Sequence, residues 1–170
     1  PRRALARAHH LMEGEEYLQA SAIFDRLANG ANMRGIINRA PFLYFQAGRA
    51  HILLGNILSG KDRIYKGFNL LAENKRWMVL HRGGKRIIDE FEKLGYHDLA
   101  GEFNQWLEKS LPENIGELEK ISKYELINKP KLPEKCHYCG GTVSPAEVDW
   151  LDDVTVTCSY CGSALHTVKD

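Results

Sequence analysis

The stretch Ala8-His-His-Leu11-Met-Glu-Gly14-Glu-Glu-Tyr17-Leu-Gln-Ala20-Ser-Ala-Ile-Phe24 sets a small or apolar residue at every third or fourth position. That spacing lines one face of a helix. Two further amphipathic stretches follow. One begins near Ala47, carries Ala50, Leu53 and Gly55, and continues through Tyr65, Gly67 and Leu71. The other runs through Ile87, Phe91, Leu94, Gly95, Leu99, Ala100 and Phe103, with Trp106 and Leu107 extending its apolar face. Between the first two, Gly30-Ala-Asn-Met-Arg-Gly35 and residues 36–41 read as a connector ending at Pro41, a residue suited to the first turn of the next helix. Residues 110–113 close the helical stretch, and Ile115, Leu118, Ile121 and Leu126 are spaced for one more helix over 114–127.

The first stretch resembles one tetratricopeptide repeat: a helix carrying Ala8 and Leu11, a glycine turn at Gly14, and a second helix whose Ala20 lets the pair pack closely. The resemblance covers roughly residues 4–109. In the second copy the turn reads as longer and the register slips, and the copies depart from the regular 34-residue period. The competing arrangement is a plain helical bundle with small residues at its crossings. Three amphipathic pairs with glycine turns favour stacked hairpins. In tetratricopeptide families such a stack holds a peptide or partner helix on its concave face, so the resemblance implies a protein or peptide partner.

A different pattern occupies the last quarter. Cys136-His-Tyr-Cys139-Gly and Cys158-Ser-Tyr-Cys161-Gly are two Cys-x-x-Cys pairs separated by eighteen residues. This is the spacing of a structural zinc site with Cys136, Cys139, Cys158 and Cys161 as ligands and Zn2+ as the cofactor. Each pair puts two thiolates on one tight turn, and the glycine after the second cysteine lets that turn close with a positive φ. The halves are similar to zinc knuckles, and residues 134–168 as a whole resemble a zinc ribbon. Residues 147–151, 154–157 and 164–168 read as its strands, around an Asp-Asp turn.

Competing readings of the cysteines are weaker. Disulfide scaffolds are cysteine-rich throughout, and this chain holds only four. A redox Cys-x-x-Cys needs a strand-turn-helix setting that neither pair has. A catalytic zinc keeps a coordination position open for water, and four thiolates leave none. The zinc-deaminase pattern, His-x-Glu ahead of Pro-Cys-x-x-Cys, is absent from the sequence. The expectation is a closed structural site whose metal replaces the core that about 35 residues cannot build. His137 and His166 read as surface residues beside it. So do His9 and His10, since neighbours on a helix point about 100° apart and cannot both face a core.

Composition bounds the rest. With 44% apolar and 26% charged residues, the 170-residue chain can build one fair-sized domain and a small one. No run of about 18 apolar residues appears, so no membrane span is expected, and no secretory leader pattern is visible. The chain opens on Pro1 rather than methionine, which leaves room for an upstream segment. Four thiolate ligands imply a reducing compartment, the cytoplasm.

The net charge of +1 hides an asymmetry. Residues 1–94 carry sixteen Lys or Arg against nine acids, whereas residues 131–170 carry three against six. Asp149, Asp152 and Asp153 at the hairpin tip would repel phosphate. Lys75-Arg76-Trp77 and His81-Arg82-Gly-Gly-Lys85-Arg86 form the densest basic stretch, read chiefly as a solvated helix face kinked at Gly83 and Gly84. Lys75, Arg76, Lys85 and Arg86 are also the candidate partner-binding residues. Catalytic and nucleotide-binding fingerprints are absent.

The sequence therefore predicts a mainly α chain: a helical, tetratricopeptide-like domain over 1–127, a linker over 128–133 marked by Pro130 and Pro133, and a β zinc ribbon over 134–170. The expected function is a zinc-binding protein–protein adaptor, not an enzyme. The alternative is a nucleic-acid-associated regulator that uses the basic helical face.

Overall fold

The computed structural model describes residues 2–117, 130–145 and 148–168. The helix expected over 114–127 falls mostly outside these residues. The chain is mainly helical, with a small antiparallel sheet near its C-terminus. Its helices are α1 (Arg2–Glu13), α2 (Tyr17–Met33), α3 (Ala40–Leu53), α4 (Ile57–Glu73), α5 (Trp77–Lys93) and α6 (His97–Ser110). The strands are β1 (Asp149–Trp150), β2 (Thr155–Thr157) and β3 (Ala164–His166), in the order β1-β2-β3. Val156 sits at the centre, paired with Trp150 on one side and Leu165 on the other.

One turn geometry recurs along the helices. Glu15, Gly35, Gly55, Lys75 and Gly95 all have φ between 54° and 89°, and they stand 20 residues apart. After each, the next residue's N–H reaches back five positions: Glu16 to Leu11, Ile36 to Ala31, Asn56 to His51, Arg76 to Leu71 and Tyr96 to Phe91. This is the Schellman closure of a helix end. A helix pair thus spans 40 residues, against 34 in a tetratricopeptide repeat. The second turn, expected to be longer, comprises residues 54–56 and matches the three residues 14–16 of the first. The first turn was expected to rest on Gly14, yet Glu15 takes its left-handed conformation, as Lys75 does at the end of α4.

The connector begins later than expected. Gly30 to Met33 belong to α2, because Phe24, Ala28 and Ala31 continue one buried stripe along it, and packing of that stripe outweighs the weak helix propensity of Gly30. The break comes at residues 34–39, after which Pro41 stands in the first turn of α3.

Two compact units divide the chain: Pro1–Leu70 with Pro130–Asp170, and Leu71–Lys129. In the first, α3 is buried on nearly every side, from Ala40 continuously to Gly48. Its Leu43, Tyr44, Ala47 and Ala50 join a core with Leu5, Ala8 and Leu11 of α1 and Ala20, Phe24 and Ala28 of α2. That core continues without a break into Cys136, Val143, Val148, Val156, Cys158, Cys161 and Leu165 of the ribbon. The ribbon, expected to rely on metal in place of a core, shares one with the helices. On the far side of α3, Phe45 packs edge-on against Phe68 of α4, with ring centroids 5.5 Å apart. Ala20 and Ala50, expected at helix crossings, are both fully buried.

In the second unit, α5 and α6 pair through Phe91, Leu99, Ala100, Phe103 and Leu107. Gly83 and Gly84 do not kink α5, which runs unbroken from Trp77 to Lys93. Both are buried, and a Cβ on Gly84 would stand 2.9 Å from the Leu107 side chain. Gly84 thins the helix where Leu107 of α6 meets it.

Candidate metal centre

The two cysteine pairs fold into turns with the same hydrogen-bond pattern. In the first, Cys136 N–H donates to the Gly141 carbonyl at 2.8 Å and Gly140 N–H donates to the Cys136 carbonyl at 2.7 Å. In the second, Cys158 N–H donates to Ser163 at 2.9 Å and Gly162 N–H to Cys158 at 2.8 Å. Gly140 and Gly162 have φ of 75° and 65°, the positive values expected from their places in the motif. Tyr138 N–H points at Cys136 Sγ at 3.4 Å, and Ser163 Oγ lies 3.3 Å from Cys161 Sγ.

All four sulfurs lie within 4.8 Å of one another, and the pairs Cys136–Cys161 and Cys139–Cys158 are each 3.8 Å apart. These lengths exceed a disulfide bond by far, and the four cysteines are free. They match another figure. A tetrahedron whose corners stand about 2.3 Å from a central metal has edges of about 3.8 Å. The four residues predicted as ligands are therefore brought together in a set that can hold a metal ion.

Electrostatics points the same way. The Cys136 thiol is held far below the ordinary thiol range by hydrogen bonds from Cys139 first, then Cys158 and Cys161. The same contact with Cys136 pushes Cys139 far up. A thiolate at Cys136 thus opposes ionisation of Cys139 and Cys158, because like charges this close repel. A cation at the centre removes that opposition and lets all four ionise. With four thiolates on one ion no coordination position is left for water, so the arrangement suits structure rather than hydrolysis.

The helices reach the second turn directly. Gln46 of α3, almost fully buried, donates from Nε2 to the Tyr160 carbonyl at 3.1 Å, and Arg49 holds the other end of that amide at 2.8 Å from Oε1. A Cβ on Gly162 would collide with the Asn38 carbonyl, and would lie 2.7 Å from Arg39 Cα and 2.9 Å from the Phe42 ring. Gly140 has nothing within 4 Å of the same position. The sequence explained both glycines by φ alone, but Gly162 also forms the seat of the ribbon on the connector and α3.

His137 and His166 are exposed, as expected. Of the other pair, His10 is exposed, whereas His9, expected at the surface, is half-buried. Its ring packs edge-on to Phe24 with centroids 5.2 Å apart, and burial, followed by the Arg49 guanidinium, pushes its pKa down. At the hairpin tip Asp152 accepts the Val154 N–H at 2.9 Å and so shapes the turn.

The candidate partner residues lie in the second unit. Lys75 is exposed in the turn before α5, and Arg76 stands at that helix's N-cap position without a side-chain capping bond. Lys85, exposed, and Arg86 follow about 2.5 turns further along it. They form two basic pairs rather than a single cluster.

One half-buried polar group belongs to no sequence motif. Asp25 of α2 accepts from Arg63 Nε of α4 at 2.9 Å and lies 2.9 Å from His51 Nε2 of α3. The three come from separate helices, so no spacing could have found them. Arg63 also meets Asp62, which holds Lys66.

No helix among the described residues is long and apolar enough to cross a membrane. No protein-family model matches the chain, and neither does a curated protein or a solved structure.

Proposed function

We propose that this chain is a zinc-binding, non-catalytic interaction module: a closed four-thiolate site fixes the ribbon, and the helical hairpins offer a surface to a protein or peptide partner. The observation that carries the metal reading is the pair of 3.8 Å sulfur separations in a set of four buried or half-buried thiols. Zinc is the fitting ion because it takes four thiolates tetrahedrally and has no redox demand of its own. Such a site works in a reducing compartment, which makes the cytoplasm the proposed location.

The partner reading is supported by the recurrence of one helix-turn geometry at 20-residue intervals, a local regularity of the kind seen in helical-repeat proteins. It is also supported by the excess of sixteen basic over nine acidic residues in residues 1–94, which favours an acidic ligand. Metal analysis of the full chain purified under reducing conditions tests the first half, with one zinc per chain expected. Capture experiments comparing the full chain with its Lys75, Arg76, Lys85 and Arg86 quadruple alanine variant test the second. Loss of an acidic protein partner is the expected result. Loss confined to DNA or RNA, with steep salt dependence, would replace the adaptor with a nucleic-acid regulator. Unchanged capture of every ligand would remove these four residues from the account.

A further inference from the structure

We infer that the metal site and helix α3 are energetically coupled, so that metal occupancy controls the order of α3 and the seat on α3 in turn sets metal affinity. This rests on the metal reading above and goes beyond it. The ribbon has little to hold itself together. Its strands are two, three and three residues long, and its buried Val143, Val148, Val156 and Leu165 belong to the same apolar cluster as α1, α2 and α3. Sheets this short are not stable alone.

Helix α3 is equally dependent. Its sequence, Ala40-Pro-Phe-Leu-Tyr-Phe-Gln-Ala-Gly48, is apolar on all sides, which suits a helix covered all round and not one with a solvated face. One part of that cover is the second cysteine turn. Phe42 and the backbone of Asn38 and Arg39 press on Gly162, while Gln46 holds the Tyr160 carbonyl between the ligands Cys158 and Cys161. Without metal, the turn that carries Tyr160 and Gly162 loses the ion that would tie its Cys158 and Cys161 sulfurs to those of Cys136 and Cys139. The ribbon-facing side of α3 is then uncovered.

The converse follows by linkage. A ligand that binds only the ordered state stabilises that state, and whatever stabilises the ordered state tightens the ligand. Gln46 is thus a positioning residue for the metal, acting through the peptide it holds.

The two cysteine-turn glycines supply the test. Gly162→Ala and Gly140→Ala impose the same left-handed strain, but only Gly162→Ala adds a clash with the connector and α3. Hydrogen exchange of residues 40–53 and competition for Zn2+ against a chromogenic chelator would be measured on the full chain. Stripping wild-type protein with EDTA should speed α3 exchange by on the order of tenfold or more. Gly162→Ala should bind Zn2+ more weakly than Gly140→Ala and exchange faster in α3. Gln46→Ala, which disturbs no backbone, should lower affinity by about tenfold and serves if Gly162→Ala does not fold. A metal-free chain whose α3 is protected as well as in the loaded chain would overturn the coupling and leave the metal site standing. So would wild-type affinity in Gln46→Ala. A full chain that takes up no Zn2+ would overturn the metal reading and the coupling with it.

Discussion

Gly48 of α3 and Gly60 of α4 meet backbone to backbone: a Cβ on either would stand 2.9 Å from the other's carbonyl oxygen. Ile64 closes over the first and Ile52 over the second. Gly67 repeats the approach one contact further on, where a Cβ would lie 2.9 Å from the Pro41 carbonyl and closer still to the Phe45 ring. The α3–α4 pair is therefore set by three glycines that leave room for a neighbouring chain.

Their substitution should run against helix propensity. Alanine normally stabilises a helix over glycine by about 1 kcal/mol, yet Gly48→Ala and Gly60→Ala should each destabilise by about 1–3 kcal/mol through overpacking. Gly30→Ala in α2, with open space around the new methyl, should instead stabilise by about 0.4–1 kcal/mol. Urea melts of the three variants check both signs.

Ala20 is fully buried in the core shared by α1, α2, α3 and the ribbon. Ala20→Leu should cost about 1–3 kcal/mol. An unchanged thermal melt would place the side chain outside that core.

Replacing a single ligand, for example Cys158→Ser, should abolish stoichiometric Zn2+ binding. It should also lower the melting temperature of the helical part of the unit, since Cys158 shares a core with Leu43 and Ala47. A truly separate ribbon would lose its metal and leave the helical circular-dichroism melt where it was. Zinc analysis and the melt, taken on the same sample, separate these results.

Asp25 gives the unit an acid limb. Burial pushes its carboxyl up, but hydrogen bonds from Arg63 and His51 outweigh burial and hold its pKa below the ordinary carboxylate value. A depressed folded pKa means that the contribution is present above the unfolded value, near 4, and is lost as pH falls through the folded one. Asp25→Asn should destabilise by about 1–2 kcal/mol at pH 7 and by less at pH 3, read from urea unfolding at the two pH values. An equal loss at both would deny the carboxylate its role.

The residues that carry the metal site were legible because their constraint is local. Two thiols on one turn need the x-x spacing, and the turn needs a residue with positive φ, so Cys136 to Gly140 and Cys158 to Gly162 announce themselves in the sequence. The helices were legible for the same reason, through their periodic apolar residues. Even the partner faces of Ala20 and Ala50 could be read, because small residues recur where helices cross.

What lay beyond the sequence is contact between segments far apart in the chain. Nothing in Gln46 announces a bond to a carbonyl 114 residues away, and nothing in Gly48 names Gly60 as its neighbour. Asp25, His51 and Arg63 meet only because three helices converge on them. The ribbon's apolar positions looked too few for a core when counted within about 35 residues, and the tertiary structure supplied the missing part from α1, α2 and α3. Local periodicity and turn chemistry depend on neighbours within a few residues, and those the sequence alone determined. Which surfaces close on one another depends on burial summed over the whole chain, and only the folded structure decided that.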